Sequence, residues 1–259
     1  MEHFIHPALL QSAIRVMVVG AGGTGSHVLN GLVQLHTAMI ALGHPGGLQV
    51  TAIDDDTVSE SNVGRQAFVW SDIGQPKATV LINRLNMAFG LNWQAEVKRV
   101  RSDDDFRGTD IVIGCVDNRA ARKVIAESAP EGCYWLDIGN SLHQGQVVLG
   151  EIPGAEWRFK GRDRLPTVAD LYPETVDPSL DETDDIPSCS LADALEKQGL
   201  FVNRGVALHA LNLLWQLCRH GKITHHALFV NMAAGRVTPL PVDPEAWKRL
   251  GYSALSKAA

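Results

Sequence analysis

The run Arg15-Val16-Met17-Val18-Val19 leads directly into Gly20-Ala21-Gly22-Gly23-Thr24-Gly25, and that junction restricts the fold more than any other segment. A short β-branched stretch with no polar interruption reads as a buried strand. The glycines permit a tight turn. Beyond them Val28, Leu29, Leu32, Val33, Leu35, Met39 and Leu42 fall on one helical face, and the Gly43-His44-Pro45-Gly46-Gly47 cluster ends it. Strand, glycine turn and helix in this order let backbone N–H groups approach a phosphate, with the helix N-terminus adding a favourable field.

The pattern then repeats. Leu48 to Ile53 reads as a second strand, and Pro76 suits the first turn of a helix through Ala78, Val80, Leu81, Ile82 and Leu85. Strands are expected at residues 94–100, 110–116 and 133–138, with a helix after Asn118. Alternation of this kind predicts an α/β fold: a Rossmann-like, mostly parallel sheet with helices on both faces. A strand at 146–151, an apolar helix over 206–218 closed by Gly221, and a hairpin of 228–232 with 236–240 extend it at the C-terminal end.

Residues 165–185 carry seven carboxylates and no Lys or Arg, with Pro166, Pro173 and Pro178 among them. That composition predicts an extended, mobile loop. The expected organisation is one domain over 1–259: a nucleotide-binding core at 14–152, an acidic crossover loop at 153–188, and C-terminal helices with a closing hairpin at 189–245.

A formal net charge of −6 argues against non-specific binding to nucleic acid or to an anionic membrane. The four cysteines, Cys115, Cys133, Cys189 and Cys218, form no C-x-x-C pair, so no zinc knuckle or thioredoxin-type motif is written here. The N-terminus lacks a basic segment leading into a long apolar run, and no stretch is apolar enough to span a bilayer, so a cytoplasmic location with reduced thiols is expected. Cys115 and Cys218 lie in apolar segments and read as small core residues. Adjacent His225 and His226 could bind metal, but surface histidines explain them at least as well, and no histidine is assigned a role.

Chemistry concentrates between the glycine turn and Lys77. Asp54 ends the second strand, where a ribose-binding carboxylate belongs. Asp55 reads as a solvated strand end, and Asp56 shares its neighbourhood. Asn62, Arg65, Gln66 and Lys77 follow within about one βα unit. Arg65 and Lys77 can stabilise charge on departing β- and γ-phosphates, where preorganised cations act mainly on the transition state. A nicotinamide enzyme has no triphosphate terminus to hold, which makes hydride transfer a distant alternative. Asp117 follows the apolar strand Ile111-Val112-Ile113-Gly114-Cys115-Val116 and could meet a hard cation or precede a helix cap.

Four segments together resemble the ThiF/MoeB family and the adenylation domains of ubiquitin-activating enzymes. They are Val19–Ser26, Asp54–Gln66, Gly74-Gln75-Pro76-Lys77 and Asp117-Asn118-Arg119-Ala120-Ala121-Arg122, in family order and spacing. The likeness covers roughly residues 14–240 and within the family looks closest to the ThiF-like proteins of plasmid PRTRC cassettes. It implies ATP and Mg2+ as cofactors, with Gly20, Gly22, Gly23, Gly25, Asp54, Asp56, Asn62, Arg65, Gln66 and Lys77 around the nucleotide. Arg65 and Lys77 are the implied catalytic cations and Asp117 the implied magnesium-linked carboxylate.

The resemblance further implies adenylation of the C-terminal carboxylate of a small ubiquitin-like or sulfur-carrier protein, and a homodimer. Cys189, before an expected helix N-terminus at Ser190, matches the region where family members place an acyl-accepting thiol. Two family features are missing: zinc-binding C-x-x-C pairs, and an N-terminal arginine that crosses the dimer, for which Met1–Ser12 offers no match. Adenylation of a tRNA base, and a non-catalytic ATP-bound scaffold in a plasmid-maintenance assembly, are the alternatives.

Overall fold

In the computed structural model the described residues are 1–155, 159, 162–181 and 199–252. Five strands run parallel: β2 (Ile14–Val19), β3 (Leu48–Ile53), β4 (Gln94–Glu96), β5 (Ile111–Gly114) and β6 (Tyr134–Asn140). Every side chain of β5 is buried, as expected of a strand covered on both faces. Between these strands come α1 (Gly23–Ala41), α2 (Lys77–Phe89) and α3 (Arg119–Ser128). The sheet continues antiparallel through β7 (Gln144–Glu151), β9 (His225–Asn231) and β10 (Arg236–Pro241), giving the order β10-β9-β7-β6-β5-β2-β3-β4. A separate pair joins β1 (His3–Phe4) to β8 (Lys222–Ile223). The expected α/β sheet with C-terminal extension is therefore the observed fold.

The long apolar helix α5 (Val202–His220) packs against α1, where Gly31 leaves room for Leu211. A short helix α6 (Pro244–Lys248) sets Trp247 into the far end of the core. Gly221, at φ 67°, closes α5 in the left-handed conformation expected of a C-terminal glycine. Among the described residues no helix is long and apolar enough to cross a membrane.

Three expectations are corrected. The strand at residues 94–100 stops at Glu96; beyond it Lys98 pairs with Glu96 and Asp105 (both 2.7 Å) and Arg99 with Asp55 (2.7 Å). Residues 165–181 are not extended: Thr167 caps a short helix α4 (Val168–Leu171), and 3-10 turns follow at Pro173–Val176 and Pro178–Leu180. The cations that hold this acidic segment lie outside it, as Arg164 on Asp170 (2.7 Å) and Arg119 on Asp181 (3.2 Å). His226 is fully buried, its Nδ1 2.9 Å from the Leu149 carbonyl and its ring edge-on to Trp247.

At the amino-terminal end of β6 the N-terminal segment is fastened by a buried polar cluster. His3 Nε2 lies 2.7 Å from the Tyr134 hydroxyl and His6 Nε2 2.8 Å from Glu151. Glu151 also accepts from Arg162 (2.8 Å) and from the Leu165 N–H (2.9 Å). Burial alone would raise the Glu151 carboxyl, but the hydrogen bonds from Arg162 and His6 prevail and hold it at about 2. Burial lowers the His3 imidazole to about 4.

Candidate functional site

The opposite end of the sheet, at the carboxyl ends of the parallel strands, opens into a cavity of about 1240 Å³. Such crevices are where open α/β sheets bind ligands. Gly20, at φ +92°, turns the chain out of β2, and a Cβ there would lie 2.6 Å from the Cys115 carbonyl oxygen. Only glycine meets both demands. The turn is stitched to its neighbours by Gly20 N–H to the Ile53 carbonyl (2.9 Å) and Cys115 N–H to the Val19 carbonyl (2.8 Å).

Gly22 is the N-cap of α1, with no side-chain cap and no acidic residue in the first turn. The first N–H groups and the positive end of the helix dipole therefore remain available to an anion. A Cβ on Gly22 would meet only Gln66 Oε1, at 4.0 Å, so the backbone there faces open space. Gly23 differs: its missing Cβ makes room for the Asn203 amide of α5. Gly25 is absent from the cavity lining; it lets α1 approach the Gly20 carbonyl and Cys115.

Asp54 extends from β3 beneath the glycine turn. It accepts the Ala21 N–H at 2.5 Å and the Asp56 N–H at 2.8 Å. Burial nonetheless pushes its carboxyl above the ordinary carboxylate value. Asp56 reaches the cavity as the partner of Lys77, with Nζ to Oδ2 at 2.8 Å. The Lys77 N–H also donates to the Asp56 carbonyl (2.9 Å), so one residue fixes both the helix start and its ammonium.

Arg65 and Gln66 line the same cavity. Half-burial of the Arg65 guanidinium lowers its pKa. Gln66 is buried, and its Oε1 has no hydrogen-bond partner among the described residues. An orphaned buried amide is costly unless something fills its valence. Asn62 is not in the lining: its Oδ1 accepts the Ser59 N–H at 2.9 Å and holds a 3-10 turn. Asp117 lines the cavity from the end of β5, while Asn118 supplies the α3 cap by accepting from the Ala121 N–H at 2.8 Å. Asp117 is exposed, and among the described residues no group of three or more His, Cys, Asp or Glu side chains is placed to hold a metal. Cys189 lies outside the described residues.

Four further residues contribute without having been assigned a role from the sequence. Asn203 of α5 accepts from Thr24 (3.0 Å) and from Asn140 of β6 (3.0 Å), tying the glycine turn to the far half of the sheet. Arg122 lies on the cavity floor, with Nε 2.8 Å from the fully buried Asp137, whose carboxyl burial raises. Arg236 and Thr238 of β10 line the distant end. Apart from Arg122, within a recognisable segment, their only signal is long-range pairing.

A glycine turn at a helix N-terminus, a strand-end carboxylate against it and cations on one rim define a Rossmann-like nucleotide-site architecture. The chain belongs to the ThiF family, whose model matches residues 8–245. It is 34% identical over 119 residues to the adenylyltransferase and sulfurtransferase UBA4 of Yarrowia lipolytica, covering 44% of this chain and 28% of that one. It is 29% identical over 174 residues to the NEDD8-activating enzyme E1 catalytic subunit of Dictyostelium discoideum, covering 65% and 37%. The crystal structure of E. coli MccB with ATP shares the fold at TM-score 0.55 and 14% identity, over 88% of this chain and 63% of that one. The chain thus spans less than two thirds of the length of each of these relatives.

Proposed function

We propose that this chain is an ATP- and Mg2+-dependent adenylyltransferase acting on the C-terminal carboxylate of a small ubiquitin-like or sulfur-carrier protein. The observation that carries this reading is the convergence of Gly22, Asp54, Arg65, Gln66, Lys77 and Asp117 on one cavity. Relatives named as an adenylyltransferase and as an activating enzyme, and a fold neighbour crystallised with ATP, support it.

The residues present suit the nucleotide. The uncapped start of α1 offers N–H donors to phosphate, and the unpartnered Gln66 carboxamide oxygen can accept a hydroxyl. Asp54 would accept from the ribose hydroxyls with the lone pairs that the Ala21 and Asp56 N–H groups leave. Asp117 would hold the magnesium ion, which supplies charge neutralisation on the phosphates. In the reaction a carboxylate oxygen attacks the α-phosphorus, the bond to the bridging oxygen breaks, and pyrophosphate leaves with that electron pair. Arg65 and Lys77 stabilise the charge that builds on the leaving group.

Transfer of the acyl group to Cys189 is the second step of this reading, and a homodimer is its expected assembly. The likeness to ThiF-like proteins of PRTRC cassettes belongs to it as well. The test is ATP–pyrophosphate exchange in the presence of small-protein fractions from the source cell. Exchange that requires a fraction and persists in Cys189→Ala supports adenylation and places the thiol later. ATP binding with no exchange under any fraction would replace this reading with the nucleotide-bound scaffold.

A further inference from the structure

The cavity is larger than a nucleotide needs; small-ligand pockets run to about 300–1,000 Å³, against about 1240 Å³ here. Its lining continues onto the antiparallel extension. Gln144 of β7, Asn231 of β9 and Arg236 of β10 are register partners. One step lower, so are Gly139 of β6, Gln146 of β7, Phe229 of β9 and Thr238 of β10. Register partners share a face, so two rows of side chains cross the strands side by side. All of them line the cavity.

Chemistry changes along the rows. Gly139 leaves the inner end bare beside the Arg122 guanidinium. The middle is amide: Gln144, Gln146 and Asn231, of which Asn231 Oδ1 already accepts the Ala234 N–H (2.9 Å) and Gln146 hydrogen-bonds to Asp137. The remaining amide donors and lone pairs can serve peptide groups. The outer end is Arg236. Lys77, Lys98, Arg99 and Arg122 on the cavity wall each meet a carboxylate, namely Asp56, Asp105, Asp55 and Asp137. Arg236 is exposed and meets none among the described residues. From β6 to β10 there are three strand spacings, about 14 Å, the reach of about four extended residues.

We propose that Arg236 selects an acidic side chain about four residues before the carboxyl terminus of the polypeptide activated here, with the amides of Gln144, Gln146 and Asn231 holding the intervening backbone. This rests on the adenylation reading for the identity of the terminus and adds the charge of the tail. Arg236 is a specificity residue; it lies three strands from the inner end.

The test uses the full chain with AMP and fluorescein-labelled octapeptides ending in Gly-Gly, bearing Glu, Ala or Lys fourth from the end. Fluorescence anisotropy should show the Glu peptide binding about 3- to 10-fold tighter than the Lys peptide, the range for an exposed charge pair against a repulsion. Arg236→Ala should abolish the difference, Arg236→Glu should reverse it, and 0.5 M salt should compress it. Equal binding of the three peptides, a preference that survives Arg236→Ala, or no binding up to millimolar peptide would each overturn the proposal. Exchange driven by a small protein alongside charge-blind peptide binding would leave adenylation standing and remove the role of Arg236. Arg236-dependent binding without exchange would do the reverse.

Discussion

The two ends of the sheet carry polar clusters of similar size and opposite character. Around Glu151 each carboxylate oxygen meets donors: His6 and Arg162 on one, Arg162 and the Leu165 N–H on the other. Around the glycine turn, among the described residues, the α1 N-terminus has no side-chain cap and Gln66 Oε1 has no partner. Buried polarity that is fully satisfied fastens a structure, whereas buried polarity left open invites a ligand. An orphaned atom alone does not mark a site, since among the described residues His226 Nε2 is also buried without a partner near the Glu151 end. The glycine-turn end differs in that its orphan belongs to a residue lining a cavity.

The sharpest way to break this comparison is to exchange the effects of its two ends. Lys77→Ala should lower ATP–pyrophosphate exchange by about 10²–10³-fold, the scale for losing one preorganised donor. Its thermal midpoint should barely move, because the abandoned Asp56 carboxylate is largely exposed. A large loss of stability would place Lys77 among the fasteners. Glu151→Ala should do the opposite, removing about 3 kcal/mol in urea denaturation by stranding Arg162, since breaking one side of a buried pair is costly. Nucleotide affinity should stay unchanged, and a matching loss of affinity would erase the division between the ends.

Acid should discriminate them too. Burial lowers His3 and His226 to about 4, below the unfolded value of 6.5, so the unfolded chain takes protons first. Stability is complete above about pH 6.5 and is lost as pH falls towards 4; Glu151, held at about 2, extends the loss below about 4.5. Between pH 7.5 and 5 the decline should be on the order of 2–4 kcal/mol, and His3→Phe should flatten it. Asp54 runs the other way, since its raised pKa means that acid relieves its burial. A stability plateau from pH 7.5 to 5 would contradict the assignment. The smallest effect is expected of Gln66→Met, which removes the orphaned amide at similar volume. Stability should hold or rise by up to about 1 kcal/mol while ATP binding weakens. A destabilised Gln66→Met chain would mean that the amide serves the fold.

How much of this was legible depended on range. Leu48–Ile53 is the strand its apolar run predicts, and the helix after Asn118 begins at Arg119 because the Asn118 side chain caps it. These are local events written in consecutive residues. Gly25 and Asn62 could be picked out by position, but only packing shows one against the Gly20 carbonyl and the other holding a turn. Asn203 lies 179 residues from Thr24, so nothing near either residue announces their bond. The acidic segment misled for the same reason: its count of carboxylates omits Arg164 and Arg119, which stand outside it. His226 misled because charge-capable residues are usually exposed, whereas burial beside Trp247 holds this imidazole neutral at pH 7.

The two prolines of β10 have a further consequence. A strand residue points its N–H either at its neighbour or away from it, alternately along the chain, and Pro239 and Pro241 share one parity with Val237. Lacking N–H groups, the prolines belong on the side turned away from β9. The outermost border of the sheet therefore presents one amide proton where a regular strand would present three. Another chain laid alongside would find acceptors and almost no donors, so this border resists edge-to-edge growth and the aggregation that such growth begins.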